Sequence, residues 1–109
     1  MNGKAKVFDL LLLKSHPYEE REKNVFYSTE AFKARIVELA PGARMPVCQM
    51  ESHVAFVVLK GEAHVIVEDE EVLLDEGKCL ITPPATISMS TMTGTRVLGI
   101  QILGSPDGQ

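Results

Sequence analysis

Short hydrophobic or alternating segments dominate the chain from residue 24 onward, and turn-forming residues separate them at intervals of about eight to twelve positions. Valine, isoleucine, phenylalanine and threonine are concentrated in these segments, a composition that favours strands over helices. Evenly spaced short strands with glycine and proline turns indicate an all-β sandwich or barrel. The pattern predicts strands over residues 24–28, 31–40, 47–50, 54–59, 63–67, 72–74, 79–82, 87–92 and 95–103, with Gly61 separating the fourth from the fifth.

The two ends of the chain differ from this strand-rich part. Residues 10–23 hold a segment that could form a helical turn, and Pro17 limits even that. The last residues, 104–109, are polar and rich in turn formers, so we expect a flexible tail. The length of 109 residues fits a single domain over 1–109, for which we expect an N-terminal arm over 1–23 and a barrel core over about 24–103.

Composition and charge argue against several classes of function. The net charge is −4 and no block of lysine or arginine occurs, so we expect no binding to nucleic acid or to an anionic membrane. The longest hydrophobic run, Val54–Leu59, is far too short to span a membrane. The acidic run Glu68–Glu71 is interpreted as a solvated turn. No targeting segment is recognisable, and the two cysteines, Cys48 and Cys79, are expected to be reduced and mostly buried in a cytoplasmic protein.

The spacing of glycine and proline within the strand pattern is more specific. The segment Pro41–Glu62 resembles the first motif of the cupin superfamily, and Glu76–Ser88 resembles the second. Several turn positions fall at the spacing of that family, namely Pro41-Gly42, Gly61, Gly77 and Pro83. The resemblance extends over roughly residues 31–103 and implies a small cupin-type β-barrel, a jelly-roll-like double-stranded β-helix.

The metal-binding residues of cupins are missing from both motifs. In the family, the first motif supplies two histidines and a glutamate, and the second motif supplies a third histidine. At the matching positions this chain has other residues, in the order Cys48, Met50, Val54 and Ser88. The resemblance therefore implies a cupin with degenerate metal-binding motifs, and we predict neither a metal at the family's site nor another cofactor.

Strand periodicity predicts which side chains share the interior. Residues of one parity point to the same face, and in the cupin register that face is the inside of the barrel. The inward set is Cys48, Met50, Val54, Phe56 and Val58, and across the cavity these would meet Ser88, Ser90 and Met92. The lining would be mostly hydrophobic with two hydroxyls, which is typical of a small-molecule pocket. The alternative is a barrel that these side chains fill as a solid core.

Arg35 is the charged residue with the strongest claim to this pocket. It stands in the middle of the predicted strand 31–40, where one of the two alternating faces must be interior. In some cupins the residue at this place reaches the cavity, and an arginine there could bind a carboxylate or a similar anion. The alternative, which the sequence leaves equally open, is an outward arginine paired with a neighbouring glutamate.

Cys48 and Met50 also allow two other kinds of chemistry. A thiolate and a thioether suit Cu(I), and His53 is a further candidate ligand, although it has the wrong parity for the inner face. Methionine is, however, a common filler of hydrophobic cores. Cys48 could act as a nucleophile if a neighbouring base or cation activated its thiol, but a buried inert thiol is the simpler interpretation.

The predicted strand 54–59 is hydrophobic on both of its faces. One face belongs to the core or cavity, so the other, with Ala55, Val57 and Leu59, needs a second sheet or another subunit to cover it. Cupin-like domains commonly dimerise in this way, and we expect a homodimer.

The leading interpretation is a metal-independent cupin-like protein that binds a small molecule in a sensing, carrier or auxiliary role. The identity of the ligand stays open, and an anionic ligand follows if Arg35 faces the cavity. Two alternatives remain. One is an enzyme that uses a nonstandard soft-metal site or Cys48, and the other is a structural or interaction module with a filled barrel.

Overall fold

A computed structural model describes residues 4–103, and the predicted flexible tail 104–109 lies outside the described residues. The elements in this range are a 3-10 helix, Tyr18–Asn24, and the strands β1 (Val25–Ser28), β2 (Phe32–Leu39), β3 (Arg44–Met50), β4 (His53–Val67), β5 (Glu70–Asp75), β6 (Cys79–Thr82), β7 (Ala85–Ser90) and β8 (Thr95–Ile102). The strand pairings are antiparallel and the sheet is curved. The predicted all-β fold is confirmed.

Strand β4 joins two sheets. Its first half pairs with β8 and β6, and β8 continues through β2 to β1 in what we call the first sheet. Its second half pairs with β5 and β7, and β7 continues to β3 in the second sheet. The strand order is therefore β1-β2-β8-β4-β7-β3, with β5 and β6 attached to β4. Both sheets turn one face inward, and the core lies between these inner faces.

Gly61 does not separate two strands, as the sequence pattern predicted, but lies within the single strand β4. Its φ of +77° is in the left-handed region, so the backbone bends from the first sheet into the second without ending the strand. The register between β4 and β8 shifts between Val58 and Lys60, just before this glycine. One long strand therefore replaces two predicted short ones.

The bend in β4 also changes which residues of the strand are buried. Before it, Val54, Phe56 and Val58 face the core, and after it Ala63 and Val65 do. The parity changes from even to odd numbers because one irregular position reverses the side-chain direction of everything that follows. The remaining core residues come from the neighbouring strands, namely Leu39, Met45, Leu74, Ala85, Ile87, Met89 and Val97.

The first described part of the N-terminal arm, residues 4–13, lies against the outer face of the first sheet, where Arg96 of β8 holds it. The side chain of Arg96 is buried, and its Nε donates a hydrogen bond of 2.9 Å to the carbonyl of Leu10. Its Nη2 donates to the carbonyl of Leu13, and its Nη1 lies 2.7 Å from a carboxylate oxygen of Glu38. Burial of this charge is tolerated because each end of the guanidinium has a partner. The sequence analysis did not single out Arg96.

Glu62 of β4 stabilises the turn that leads into β8. Its Oε2 accepts hydrogen bonds from the backbone N–H groups of Thr93, at 3.0 Å, and Met92, at 2.9 Å. The hydroxyls of Thr93 and Thr91 donate to the same oxygen at 3.0 and 3.1 Å. These bonds favour the charged carboxylate, the Thr93 and Met92 backbone donors most strongly, and they lower the pKa of Glu62 to about 2.

Three expectations about the surface can be compared with the structure. The acidic run Glu68–Glu71 is exposed, as predicted, with its first two residues in the turn between β4 and β5 and its last two at the start of β5. Cys79 is exposed, so the prediction of a buried thiol was wrong there, because Cys79 pairs with Val57 and shares its outward direction. Cys48 is half-buried. Within residues 4–103, no helix reaches the length and hydrophobicity that crossing a membrane would require.

Candidate functional site

A cavity of about 520 Å³ opens between the inner face of the first sheet, strand β3 and the 3-10 helix. Much of its wall is hydrophobic, formed by Val37, Leu39, Met45, Val54 and Phe56. Polar and charged side chains contribute as well, among them His16, Arg21, Glu22, Arg35, Gln49 and Gln101. A volume of this size, with a hydrophobic wall and a few polar groups, is typical of small-molecule sites.

Five of the eight side chains that the sequence assigned to a pocket line this cavity, namely Arg35, Cys48, Met50, Val54 and Phe56. Val54 and Phe56 lie there because β4 alternates regularly up to its bend. The strand parity read from the sequence was therefore sufficient for the part of β4 that precedes its bend.

Cys48 reaches the cavity through an irregularity in β3. Met45 pairs with Met89 and Cys48 pairs with Ile87, so β3 has one more residue than β7 between these two pairs. Such a bulge lets Met45 and Cys48 share a face although one number is odd and the other even. Cys48 and Met50 then alternate normally, and their sulfur atoms lie 3.8 Å apart, with Sγ of Cys48 donating to Sδ of Met50.

Ser88, Ser90 and Met92 do not line the cavity, which corrects their predicted inward direction. In β7 the buried residues are Ala85, Ile87 and Met89, and the serines between them are half-buried on the opposite face. The pairing of Ile87 with Cys48 fixes this register, and a difference of one residue exchanges the two faces of a strand.

Met92 lies beyond the end of β7, in the turn that Glu62 holds, and its side chain is 75% exposed. It therefore cannot contribute to the interior. The hydroxyls of Ser88 and Ser90 are absent from the cavity lining, and its polar groups come instead from β2, β3, β8, the loop between β3 and β4, and the 3-10 helix with the preceding His16.

The metal site of cupins does not fit these residues. Of the positions where the family has histidine or glutamate, Cys48, Met50 and Val54 face the cavity while Ser88 faces away from it. Residues 4–103 contain no group of three or more histidine, cysteine, aspartate or glutamate side chains that could hold a metal ion together. No oxygen and nitrogen ligand set of the kind that the family uses is therefore available here.

Arg35 lines the cavity and does not point outward, although its guanidinium also lies near a glutamate, Glu22. On its strand it pairs across to Gly99 of β8, and Gly99 in turn pairs with Phe56 of β4. A Cβ on Gly99 would lie 3.3 Å from the ring of Phe56 and 3.8 Å from Cγ of Arg35. The missing side chain thus provides the space in which the Phe56 ring and the arginine stem lie side by side.

The guanidinium of Arg35 has a loose ionic contact. Its Nη2 lies 3.7 Å from Oε2 of Glu22, beyond hydrogen-bond distance. The Arg35 side chain is only 19% exposed, whereas the Glu22 side chain is 72% exposed. The arginine is therefore a mostly enclosed cation whose counter-charge sits at the surface.

The segment that carries Glu22 is fixed at both ends. Asn24 is buried, its Oδ1 accepts from the backbone N–H of His16 at 2.7 Å, and its Nδ2 donates to the carbonyl of His16 at 3.0 Å. Arg21 stacks on the ring of Tyr18 with 4.2 Å between the guanidinium carbon and the ring centroid. Asn24 and Arg21 were not predicted as site residues from the sequence. A signal was present in the polar residues that follow Pro17, since proline commonly begins a helical turn.

Comparison with known proteins supports the assignment of the fold. The family model described as mannose-6-phosphate isomerase C-terminal matches residues 15–104. A comparison with curated proteins found no match. Among solved structures, the protein TT1209 from Thermus thermophilus is 25% identical, with 90% of this chain and 97% of that chain covered and a TM-score of 0.76.

Two further solved structures are cupins by name. A cupin superfamily protein from Desulfitobacterium hafniense is 15% identical, with 73% of this chain and 74% of that chain covered and a TM-score of 0.69. An RmlC-like cupin with a double-stranded β-helix fold, from Methanocaldococcus jannaschii, is 19% identical, with 72% and 76% covered and a TM-score of 0.68. The predicted cupin fold is thereby confirmed. Because the family model spans most of its length, the chain belongs to the mannose-6-phosphate isomerase C-terminal family, within the cupin superfamily.

Proposed function

We propose that this protein binds a small organic molecule in its barrel cavity without a metal ion, in a sensing, carrier or auxiliary role. The observation that carries the proposal is the cavity of about 520 Å³, which has a hydrophobic wall and a single mostly enclosed arginine, Arg35, on β2. Small-molecule sites combine a large hydrophobic surface with a few polar groups that orient the ligand. A barrel that served as a structural module alone would have no need for such a space.

An anionic group on the ligand is part of the proposal. A guanidinium offers several N–H donors in a plane, which matches carboxylate and phosphate groups, and its attraction is stronger where water is largely excluded. Arg35 is in that situation, with its stem against Gly99 and its head toward the cavity.

The test uses N-phenyl-1-naphthylamine, a neutral hydrophobic dye whose fluorescence rises when it leaves water. We expect saturable binding to the wild-type protein, because the dye can occupy the hydrophobic wall near Met50 and Phe56. Met50→Trp should fill this space and weaken binding by about tenfold or more. Leu73→Trp is the matched control, since Leu73 is 58% exposed and lies outside the cavity lining.

Absence of saturable dye binding would contradict the proposal and favour a structural or interaction module. Equal binding by the wild type and Met50→Trp would also contradict it, because the dye would then occupy another surface. A native mass spectrum that shows an organic molecule retained by the wild-type protein, and lost from Met50→Trp, would identify the ligand directly.

A soft-metal site is the second candidate, and the distance of 3.8 Å between the sulfur atoms of Cys48 and Met50 favours it. A thiolate and a thioether at such a separation can share one Cu(I) ion, and His16 lines the same cavity. The test is a Cu(I) titration against a chromophoric chelator. This candidate requires that Cys48→Ser abolish binding while Cys79→Ser, at the exposed cysteine, leaves it unchanged.

We further propose a single-domain homodimer located in the cytoplasm. The part of the outer face that β4 and β6 form supports the dimer, because it carries the half-buried residues Ala55 and Val57 and the 68% exposed side chain of Ile81. The cytoplasmic location is supported by the two free cysteines, which are more common in reducing compartments.

A further inference from the structure

We propose that Glu22 occupies the place of a ligand's anionic group at Arg35, so that the 3-10 helix Tyr18–Asn24 competes with the ligand for this arginine. The inference rests on the proposed function, since it concerns the same cavity. It also narrows the class of ligand to amphipathic organic anions, with a hydrophobic body and one carboxylate, sulfonate or phosphate group.

The guanidinium of Arg35 has hydrogen-bond donors without acceptors in the described residues. Its guanidinium can donate five hydrogen bonds. Within residues 4–103, no side chain or carbonyl accepts a hydrogen bond from it, and Glu22 approaches only to 3.7 Å. A mostly enclosed guanidinium with unused donors binds an anion better than this contact does, because short paired hydrogen bonds add to the charge attraction. Arg35 is thus neutralised from a distance and remains available to a ligand.

The side chain of Glu22 is only weakly held. Its side chain is 72% exposed, and its other contact, to Nζ of Lys33, is 3.8 Å long. Ion pairs of exposed side chains are weak, because water already solvates both charges. Glu22 can therefore turn away into solvent at little cost when a stronger anion arrives.

Contacts of other residues hold the backbone of the helix on which Glu22 lies. The hydrogen bonds between Asn24 and His16 and the stacking of Arg21 on Tyr18 do not involve Glu22. The helix consequently keeps its position over the cavity whether or not Glu22 faces Arg35. Displacement requires only a side-chain rotation, and the ligand's affinity is reduced by whatever the Glu22 contact contributes.

The hydrophobic body of the ligand would lie against the cavity wall next to Arg35. Phe56 lies next to Arg35 across Gly99, so the arginine and the hydrophobic wall are adjacent. An anion held at Arg35 would extend its remaining atoms along Phe56, Val54 and Met50, which line the same cavity. An inorganic anion would use Arg35 alone and leave this wall in contact with water.

The experiment compares two dyes of similar shape. 8-Anilinonaphthalene-1-sulfonate carries an anion, and N-phenyl-1-naphthylamine lacks it. Glu22→Gln should tighten binding of the sulfonate dye by about two- to fivefold, the range of a weak ion pair, and leave the neutral dye unchanged. Glu19→Gln is the matched control, since Glu19 is exposed on the same helix, carries the same charge and has no ion pair in the described residues. It should change neither affinity.

Arg35→Gln provides the second arm. It should weaken binding of the sulfonate dye by about tenfold. Adding Glu22→Gln to it should produce no further change, because the guanidinium for which Glu22 and the dye compete has been removed. If the neutral dye binds normally but Glu22→Gln and Glu19→Gln affect the sulfonate dye equally, the Glu22 inference is overturned and the proposed function stands. If neither dye binds, the proposed function fails and the inference fails with it.

Discussion

A Cβ placed on Gly61 would lie 1.9 Å from the carbonyl oxygen of Gly94, so the backbones of the two glycines approach too closely to admit a side chain. Gly61 also has a positive φ of +77°. Substitution by alanine should therefore combine backbone strain with a steric clash that no rotation of a side chain can relieve. The bend of β4 and the turn before β8 depend on each other at this point.

The first prediction compares two glycines of similar backbone conformation. Gly61→Ala should lower the free energy of unfolding by about 2 kcal/mol or more beyond the effect of Gly77→Ala. Gly77 has a φ of +89° but open space where a Cβ would lie, so it reports the strain alone. Urea denaturation followed by circular dichroism measures both. Equal losses would mean that the backbone at Gly94 moves aside freely.

The second prediction concerns acid stability. The hydrogen bonds to Glu62 lower its pKa to about 2 from an ordinary value of 4.5. A lowered pKa contributes stability that is present above the unfolded-state pKa and is lost as the pH falls toward the folded-state pKa. Glu62→Gln should thus be less stable than the wild type at neutral pH, and the difference should shrink between pH 4.5 and about 2.

Thermal melting at several pH values tests this difference. Glu70→Gln serves as the control, because Glu70 is exposed and accepts no side-chain hydrogen bond in the described residues. A difference between wild type and Glu62→Gln that stays constant across this pH range would contradict the role of the charged carboxylate.

The third prediction concerns the N-terminal arm. Arg96→Met should remove the hydrogen bonds to Leu10 and Leu13 and leave Glu38 without its cationic partner, with only the hydroxyl of Ser15 still donating to it. We expect faster tryptic cleavage after Lys14 and a loss of about 2–4 kcal/mol in unfolding free energy. Arg44→Met, at an exposed arginine of β3, should change neither quantity. Unchanged cleavage in Arg96→Met would show that other contacts hold the arm.

The fourth prediction is that the protein is a homodimer at micromolar concentration. Val57→Asp should convert it to a monomer, because a carboxylate buried in a hydrophobic interface is strongly unfavourable. Leu73→Asp, at a residue that is 58% exposed away from the first sheet, should leave the mass unchanged. Light scattering distinguishes these results, and a monomeric wild type would count decisively against the proposed interface.

The fifth prediction is that the protein purified without an affinity tag carries no stoichiometric transition metal. Cys48 and Met50 replace histidines of the family, and Ser88 faces away from the cavity. Elemental analysis is expected to give much less than one metal per chain. About one bound metal per chain that disappears in Cys48→Ala would overturn the metal-independent function and support the soft-metal candidate.

Strand alternation predicted the direction of side chains correctly wherever the strand was regular and its register was known. It placed Val54 and Phe56 correctly because the pairing of β4 with β8 is regular up to Val58. It placed Ser88 wrongly because that position was taken from the resemblance to the second cupin motif and not from the partner strand. The pairing of Ile87 with Cys48 fixes the inner face of β7, and this is a long-range property that motif spacing does not contain.

The groups that surround the cavity mouth were harder to foresee for a related reason. Arg35 was recognised from its place in a strand, but its counter-charge, Glu22, lies on a short helix whose position depends on a buried asparagine. Arg96 likewise has its role only once the arm folds back across β8. Local propensity identifies such polar residues as ordinary surface groups, and only tertiary contacts give them their roles.

Because β4 belongs to both sheets, it determines how the protein unfolds. A strand that pairs with β5, β6, β7 and β8 cannot leave one ladder while it stays in the other. The amide hydrogens along His53–Val67 should accordingly exchange with deuterium at one common rate, set by global unfolding, while those of the edge strand β1 exchange sooner. Folding must also wait for partners that are distant in sequence, so refolding should be slow for a chain of this length. Neither half of the barrel is consequently stable on its own, and the two sheets should fold and unfold together as one cooperative unit.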